Sequence, residues 1–264
     1  MKKETKKPER RKKKGKSAFN AVFFIGEALF IIILLIAVWQ IGSYLLDSKK
    51  SSSFSENLQS SAIIMEEEGQ ENEEEKPQIP EAVDFDRLHE ISRDAAAWIY
   101  APEGDINYVI AQAEDNDYYL HRLLDGSSAS GGTLFMDCGN SADFSDWNTI
   151  VYGHHMKNGT MFASLMDYQT PGYYEKNPVM YIYTPGHRYR LDLIAGCTIN
   201  GDDPIYAVPA TKEDRDEILS RVSRISTFIS NEAVTAEDRL VTLSTCSYDY
   251  DDARYVVIGR LREE

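Results

Sequence analysis

From Ala21 to Leu46 the chain reads AVFFIGEALFIIILLIAVWQIGSYLL, in which only Glu27, Gln40 and Ser43 are clearly polar. Ala28 to Trp39 carries no polar side chain at all. A helix crosses a bilayer with roughly 20 mostly apolar residues, and this run has 26. Trp39 and Tyr44 sit near one end, where amphipathic rings favour the membrane interface. Residues 1–18, just before the run, hold ten Lys and Arg against two Glu. That bias predicts a cytoplasmic N-terminus with the rest of the chain outside. The run is too long for a typical signal-peptide core, and no clean small-x-small cleavage site follows it. An uncleaved membrane anchor is the expectation.

The rest of the chain is acidic. The 264 residues hold 28 Lys and Arg against 43 Asp and Glu, and setting aside the basic head leaves the remainder at −23. Such a balance argues against nucleic acid as a partner, because phosphate binding needs a basic face. Three Cys exclude a disulfide-built scaffold, and 11% aromatics exclude a wholly disordered chain. Four segments follow: a basic cytoplasmic tail over 1–20, a transmembrane anchor over 21–46, a spacer over 47–82 and an extracellular globular domain over 83–264. The spacer is Ser- and Glu-rich, and reads as a disordered acidic stalk rather than a metal-binding patch.

In the globular region, DFDRLHEISRDAAAWIY has Phe85, Leu88, Ile91, Ala95, Trp98 and Ile99 at helical spacing, with Asp84 as N-cap. Eight β-rich runs follow: INYVIAQ, DYYLHRLL, GTLFMDC, NTIVYGHH, VMYIYTPG, RYRLDLIAGCTI, RLVTLSTC and RYVVIGRL. Pro185-Gly186 fits a hairpin turn. TKEDRDEILSRVSRIS predicts a helix before the penultimate strand, with a capping pair in Thr211 and Asp214 and an apolar face of Ile218, Val222 and Ile225. The fold class is mainly β, a closed barrel of about eight strands with an N-terminal helix and this later one.

No CxxC, HExxH or GxGxxG occurs, so no metal or cofactor is expected. A Cys–His pair remains, since such partners need only meet in space. The five His are His89, His121, His154, His155 and His187, and the Cys are Cys138, Cys197 and Cys246. Cys246 closes the run Thr242-Leu243-Ser244-Thr245-Cys246 at a predicted strand end, and Arg254 opens the next strand across the loop SYDYDDA. A free thiol has a pKa of about 8.5 and needs a neighbouring cation to react as a thiolate. Arg254 offers a permanent charge and a planar fork of donors suited to an oxyanion. Taken alone, a strand-end Cys also fits a small buried hydrophobe.

Thr242-Leu243-Ser244-Thr245-Cys246 resembles the TLxTC signature of the sortases, the cysteine transpeptidases of Gram-positive cell surfaces. Gly153-His154-His155-Met156-Lys157-Asn158-Gly159-Thr160-Met161-Phe162 and Asp115-Asn116-Asp117-Tyr118-Tyr119-Leu120 resemble class B in particular. The resemblance covers roughly residues 83–262 and extends to the N-terminal anchor. It implies a sortase barrel and a two-step acyl transfer. Cys246 attacks the Thr carbonyl of an NPxT-type sorting motif on a secreted surface protein. Arg254 holds the substrate and the oxyanion, His154 moves the proton, and a peptidoglycan amine resolves the thioester. His154 rather than His155 is implied because the family's catalytic His directly follows the Gly, and strand alternation would turn the next ring away. Matching positions imply a groove of Asn116, Leu120, Tyr152 and Ser244. The same site with water as acceptor gives a thiol hydrolase, and with a Lys acceptor a pilin polymerase. A non-catalytic anchored binding module is the reading from another class. Cys138 and Cys197 are expected as buried free thiols, and Asp249, Asp251 and Asp252 as an acidic loop pointing outward into solvent.

Overall fold

The computed structural model describes residues 14–65, 78–207 and 211–264. Residues 1–13 of the basic tail and 66–77 of the expected stalk lie outside them. The chain divides into two compact units, Met1–Asp47 and Ser48–Glu264.

Helix α1 runs Lys14–Ala62. Among the described side chains of the first unit, Phe24 is 64% exposed and Trp39 72%. An 18-residue window of this helix reaches a mean hydropathy of 2.4 with none of it buried, which is long and apolar enough to cross a membrane. A helix closes its own backbone hydrogen bonds, so only its side chains need a lipid partner.

The second unit begins earlier than the composition implied. From Ser48 to Ala62 the expected spacer is the last part of α1, and Leu58 and Ala62 are buried beside Phe85, Leu88, Trp98 and Tyr119. Phe54, Leu58 and Ala62 repeat every fourth residue, which makes one helix face. The polar residues between them, Ser55, Glu56, Asn57, Gln59, Ser60 and Ser61, hid that stripe in the sequence. The segment is also bonded to the domain: Lys50 Nζ donates to Ser128 O at 2.9 Å, Asn158 Nδ2 to Ser48 Oγ at 2.9 Å, and Gln59 Nε2 to Asn107 O at 2.8 Å. A two-residue strand pair, β1 (Ile63–Ile64) with β2 (Ala82–Val83), then returns the chain to the domain.

Helix α2 is only Phe85–Ile91, capped by Asp84, whose Oδ1 accepts from Arg87 N at 3.0 Å. Ser92 is extended, and Ala95–Tyr100 forms strand β3 rather than more helix. Ala95, Ala97, Trp98 and Ile99 are all buried. A strand covered on both faces loses its period of two, so its apolar positions match helical spacing equally well. A second difference offsets this one. Tyr118–His121 is a 3₁₀ turn, not a strand. Asp115 Oδ1 accepts from the backbone N–H groups of Asp117 and Tyr118, at 2.9 and 2.8 Å, which commits the segment to a turn.

The remaining elements are β4 (Asn107–Ala111), β5 (Leu134–Met136), β6 (Asn148–Tyr152), the single-turn α3 (Tyr173–Lys176), β7 (Val179–Thr184), β8 (His187–Asn200), α4 (Lys212–Ile225), β9 (Leu240–Cys246) and β10 (Ala253–Glu263). Eight strands close a barrel in the order β10-β8-β7-β3-β4-β5-β6-β9. The β4–β5 and β6–β9 pairs are parallel and the rest antiparallel. Pro185-Gly186 makes the expected β7–β8 turn, with Gly186 at φ 84°. Ile99, Ile110, Leu134, Val151, Leu243 and Val257 fill the barrel. Thr211 and Asp214 form the expected capping box on α4, which buries Ile218, Leu219 and Val222, while Ile225 stays 45% exposed.

Leu58→Ala should lower the unfolding free energy of a 48–264 fragment by about 2–5 kcal/mol. A fragment starting at Val83, which lacks the whole helix face, should unfold at lower denaturant still. Denaturant melts of the three fragments give the comparison.

Candidate active site

Strand β9 alternates its side chains. Leu243 points into the barrel core, so Thr242, Ser244 and Cys246 share the outer face. Arg254 is the direct register partner of Cys246 across the β9–β10 pair, and so lies on that same face. The parallel β6–β9 register sets Tyr152 beside Ser244. Beyond the strand end two more bonds continue the contact: Gly153 N donates to Ser244 O at 3.0 Å, and Thr245 Oγ1 to Gly153 O at 2.8 Å. Gly153 is needed for space. A Cβ there would lie 2.4 Å from Leu134 Cδ2 and 2.6 Å from Phe162 Cδ2. The glycine therefore lets the chain pass tightly over the barrel mouth, and His154 follows it into the cavity that Cys246 also borders.

Asn116, Leu120, Tyr152, Gly153, His154, Ser244, Cys246 and Arg254 all border one cavity of about 290 Å³. The three residues expected to be catalytic and the four expected to bind substrate are thus brought together. His154 Nε2 lies 2.7 Å from Leu120 O, and its ring stacks on His121 at 5.4 Å. Donation to that carbonyl fixes the neutral ring as the Nε2–H tautomer. Burial holds the His154 pKa below its usual 6.5, the Leu120 hydrogen bond opposes this, and His121 lowers it further. The second ring takes a different direction from the first and is not among the residues that border the cavity; strand alternation is not the cause, since β6 has already ended at Tyr152. His155 Nδ1 lies 3.1 Å from Cys246 O, and the ring packs against Tyr248 at 5.5 Å.

Two site residues escaped the sequence reading. Asp137 Oδ2 accepts from Asn116 Nδ2 at 2.8 Å and from Tyr152 Oη at 3.0 Å. Tyr152, pushed up by burial and by that carboxylate, remains a neutral donor. Tyr206 borders the cavity, stacks on Tyr152 at 6.2 Å and shares a 2.7 Å hydrogen bond with Ser244 Oγ. Its short turn is pinned by Asn148 Nδ2 donating to Ile205 O at 3.0 Å, and by the Arg221–Asp203 ion pair. No motif spacing announces either residue. The signal for both is an isolated polar group beside a predicted strand, which is too common to single out.

The acidic loop is exposed at Asp249, Asp251 and Asp252, as expected. Asp252, 58% exposed, also pairs with the site: its Oδ1 is 2.8 Å from Arg254 Nη2. Asp249 Oδ2 accepts from Ser247 Oγ. Cys138 is exposed rather than buried, and neither it nor Cys197 is in a disulfide.

Sequence and structure comparisons place the chain in a family. The family model described as Sortase domain matches residues 99–262. Sortase B of Listeria monocytogenes is 30% identical over 247 residues, covering 90% of this chain and 97% of that protein. This chain belongs to the sortase family, in its class B branch. The crystal structure of Bacillus anthracis sortase B in complex with AAEK1 superposes with a TM-score of 0.70 at 30% identity, covering 83% of this chain and 100% of that one. The Staphylococcus aureus sortase B–substrate complex gives 0.69 at 25% identity, covering 83% and 99%. The sortase is a cysteine transpeptidase on a closed eight-stranded barrel, as its sequence resemblance implied.

The three thiols of the sortase should separate by reactivity. Burial pushes Cys197 up to about 12, so it stays a neutral thiol from pH 6 to 9. Iodoacetamide should modify Cys138 and Cys246 in the folded chain and reach Cys197 only after denaturation. Peptide mass mapping at pH 9, where an unperturbed thiol would react, is the measurement.

Proposed function

We propose that this sortase cleaves an NPxT-type C-terminal sorting motif after Thr, through a thioester on Cys246, and passes the surface protein to a peptidoglycan amine. The observation that carries the reading is the shared cavity in which Cys246, its register partner Arg254 and His154 meet. The thiolate of Cys246 attacks the Thr carbonyl. Arg254 donates to the developing oxyanion, where a fixed planar fork is worth most in a partly dry site. His154 gives its proton to the leaving amine and takes one back from the incoming amine. The thioester divides one hard amide exchange into two easier steps. Desolvation of His154 makes its cation scarcer but a stronger acid, suited to a poor leaving group.

The groove for the motif is formed by Leu120, Tyr152 and Ser244, with Asn116 at its edge and Tyr206 added to them. A peptide amine as acceptor accords with a sortase B solved in complex with a glycine tripeptide. The apolar part of α1 anchors the enzyme in the cell membrane, with the N-terminus cytoplasmic and the catalytic domain outside. This domain comprises Ser48–Glu264.

The test is to mix the sortase with NPQT-containing and LPxTG peptides and weigh the intact protein, with and without triglycine. An adduct on Cys246 that triglycine resolves faster than water does is expected. Resolution by water alone would replace the transpeptidase with a hydrolase, and no adduct with either peptide would overturn the motif. Cys246→Ala should abolish turnover without unfolding. Arg254→Lys should lose about 10²-fold, since an ammonium cannot reproduce the fork. His154→Ala should lose about 10²–10⁴-fold, and His155→Ala should stay within a few-fold. A reversed order of the two histidines would exchange their roles.

A further inference from the structure

We propose that Asp252 is a positioning residue for acyl transfer, fixing the Arg254 guanidinium over the strand end that carries Cys246; this rests on the roles proposed above for Cys246 and Arg254.

The turn between β9 and β10 is closed by its own backbone. Ser247 N donates to Ala253 O at 2.9 Å and Ala253 N to Tyr250 O at 3.2 Å. Within it Asp252 adopts φ 60°, the left-handed region that non-glycine residues rarely enter. Gly201, at the end of β8, donates its N–H to Asp252 O at 3.0 Å. A Cβ on Gly201 would lie only 2.5 Å from Asp252 Oδ2. The half-exposed carboxylate therefore rests against the open face of Gly201, where a Cβ would push it aside, and an uncommon backbone conformation carries it there. From that place Asp252 Oδ1 accepts from Arg254 Nη2 at 2.8 Å, while Nη1 donates to Ala253 O at 3.1 Å.

Each terminal nitrogen of a guanidinium has two hydrogens, so both tips are tethered while one N–H on each, and Nε–H, remain to donate elsewhere. Asp249 does not share this task, because its carboxylate is taken by Ser247 Oγ. Arg254 is one-third exposed. Without the tether its long side chain would sample solvent, and the oxyanion donor would have to be ordered at each turnover.

The test compares wild type, Asp252→Gly, Asp252→Asn and Arg254→Ala in steady state with whichever of the NPQT and LPxTG peptides acylates the wild type, using the full chain in detergent. Glycine suits the left-handed turn and removes only the carboxylate. Asparagine also tolerates that conformation and keeps one carbonyl acceptor for Nη2. Asp252→Gly should lower kcat at least fivefold with KM within twofold and an unchanged melting temperature, and Asp252→Asn should recover most of that loss. Gly201→Ala, which takes the carboxylate's space without removing it, should resemble Asp252→Gly. Wild-type kcat in Asp252→Gly, a loss confined to KM, or no recovery in Asp252→Asn would overturn the inference alone. Wild-type kcat in Arg254→Ala, or no acylation by wild type, would instead overturn the reading on which it rests.

Discussion

Strands β6 and β9 lie side by side in parallel although Gly153 and Thr245, which continue their contact, are 92 residues apart in the chain. Parallel neighbours need a long crossover, and here that crossover contains the barrel strands β7 and β8 and the helix α4. The pairing does two things at once. It closes the sheet, leaving no free edge within the barrel. It also sets the exits of both strands at the same mouth, with His154 one residue past Gly153 and Cys246 at the last position of β9. Arg254 then needs only the antiparallel return of β10 to face Cys246. Shifting that register by one residue would turn Ser244 and Cys246 into the core and Leu243 out of it. The packing of Leu243 and Val257 among the barrel residues therefore holds the chemistry in place.

Much of this was legible because it depends on short-range patterns. Seven of the eight β-rich runs become strands, and the capping box and hairpin fall where their residues put them. The strand count agrees with expectation only because two errors offset each other. Ala95–Tyr100 looks helical and is a strand, whereas Tyr118–His121 looks extended and is a turn. In the first case tertiary burial on both faces erased the periodicity. In the second, Asp115 supplied hydrogen bonds that the strand reading had not counted. The Ser48–Ala62 helix was lost for a third reason. Its stripe of Phe54, Leu58 and Ala62 sits in a Ser-rich background, and composition outweighed spacing.

Site residues divide along the same line. Cys246 and Arg254 lie at strand ends whose register makes them neighbours, so a reading of strand ends finds them; Tyr152 and Ser244 also lie on paired strands, but only the family resemblance singled them out. Asp137 and Tyr206 act through side-chain bonds between loops, and such pairings have no signature at any spacing. The two histidines fall between these cases. The two rings part company, but not by strand alternation: the strand stops at Tyr152, and past that point the Leu120 and Cys246 carbonyls decide where each ring goes.

The hydrogen bonds already made by the cavity walls narrow what the walls can offer a peptide. The Asn116 amide is engaged at both ends, with one hydrogen left over: Nδ2 donates to Asp137 Oδ2, and Oδ1 accepts from Cys138 N. Tyr152 Oη donates to the same carboxylate, and the Tyr206 and Ser244 hydroxyls bond each other. Each side chain is thereby locked in one orientation, and a bound peptide would meet mostly preformed aromatic and aliphatic surface on that side. Arg254 differs, since its tethers leave three N–H groups uncommitted. Shape on one wall and a fixed cation at the other end is an arrangement that grips an extended backbone loosely along its length. Under the mechanism proposed above, it concentrates strong hydrogen bonding at the single carbonyl that would become an oxyanion, where added interaction lowers the barrier rather than merely deepening the bound state.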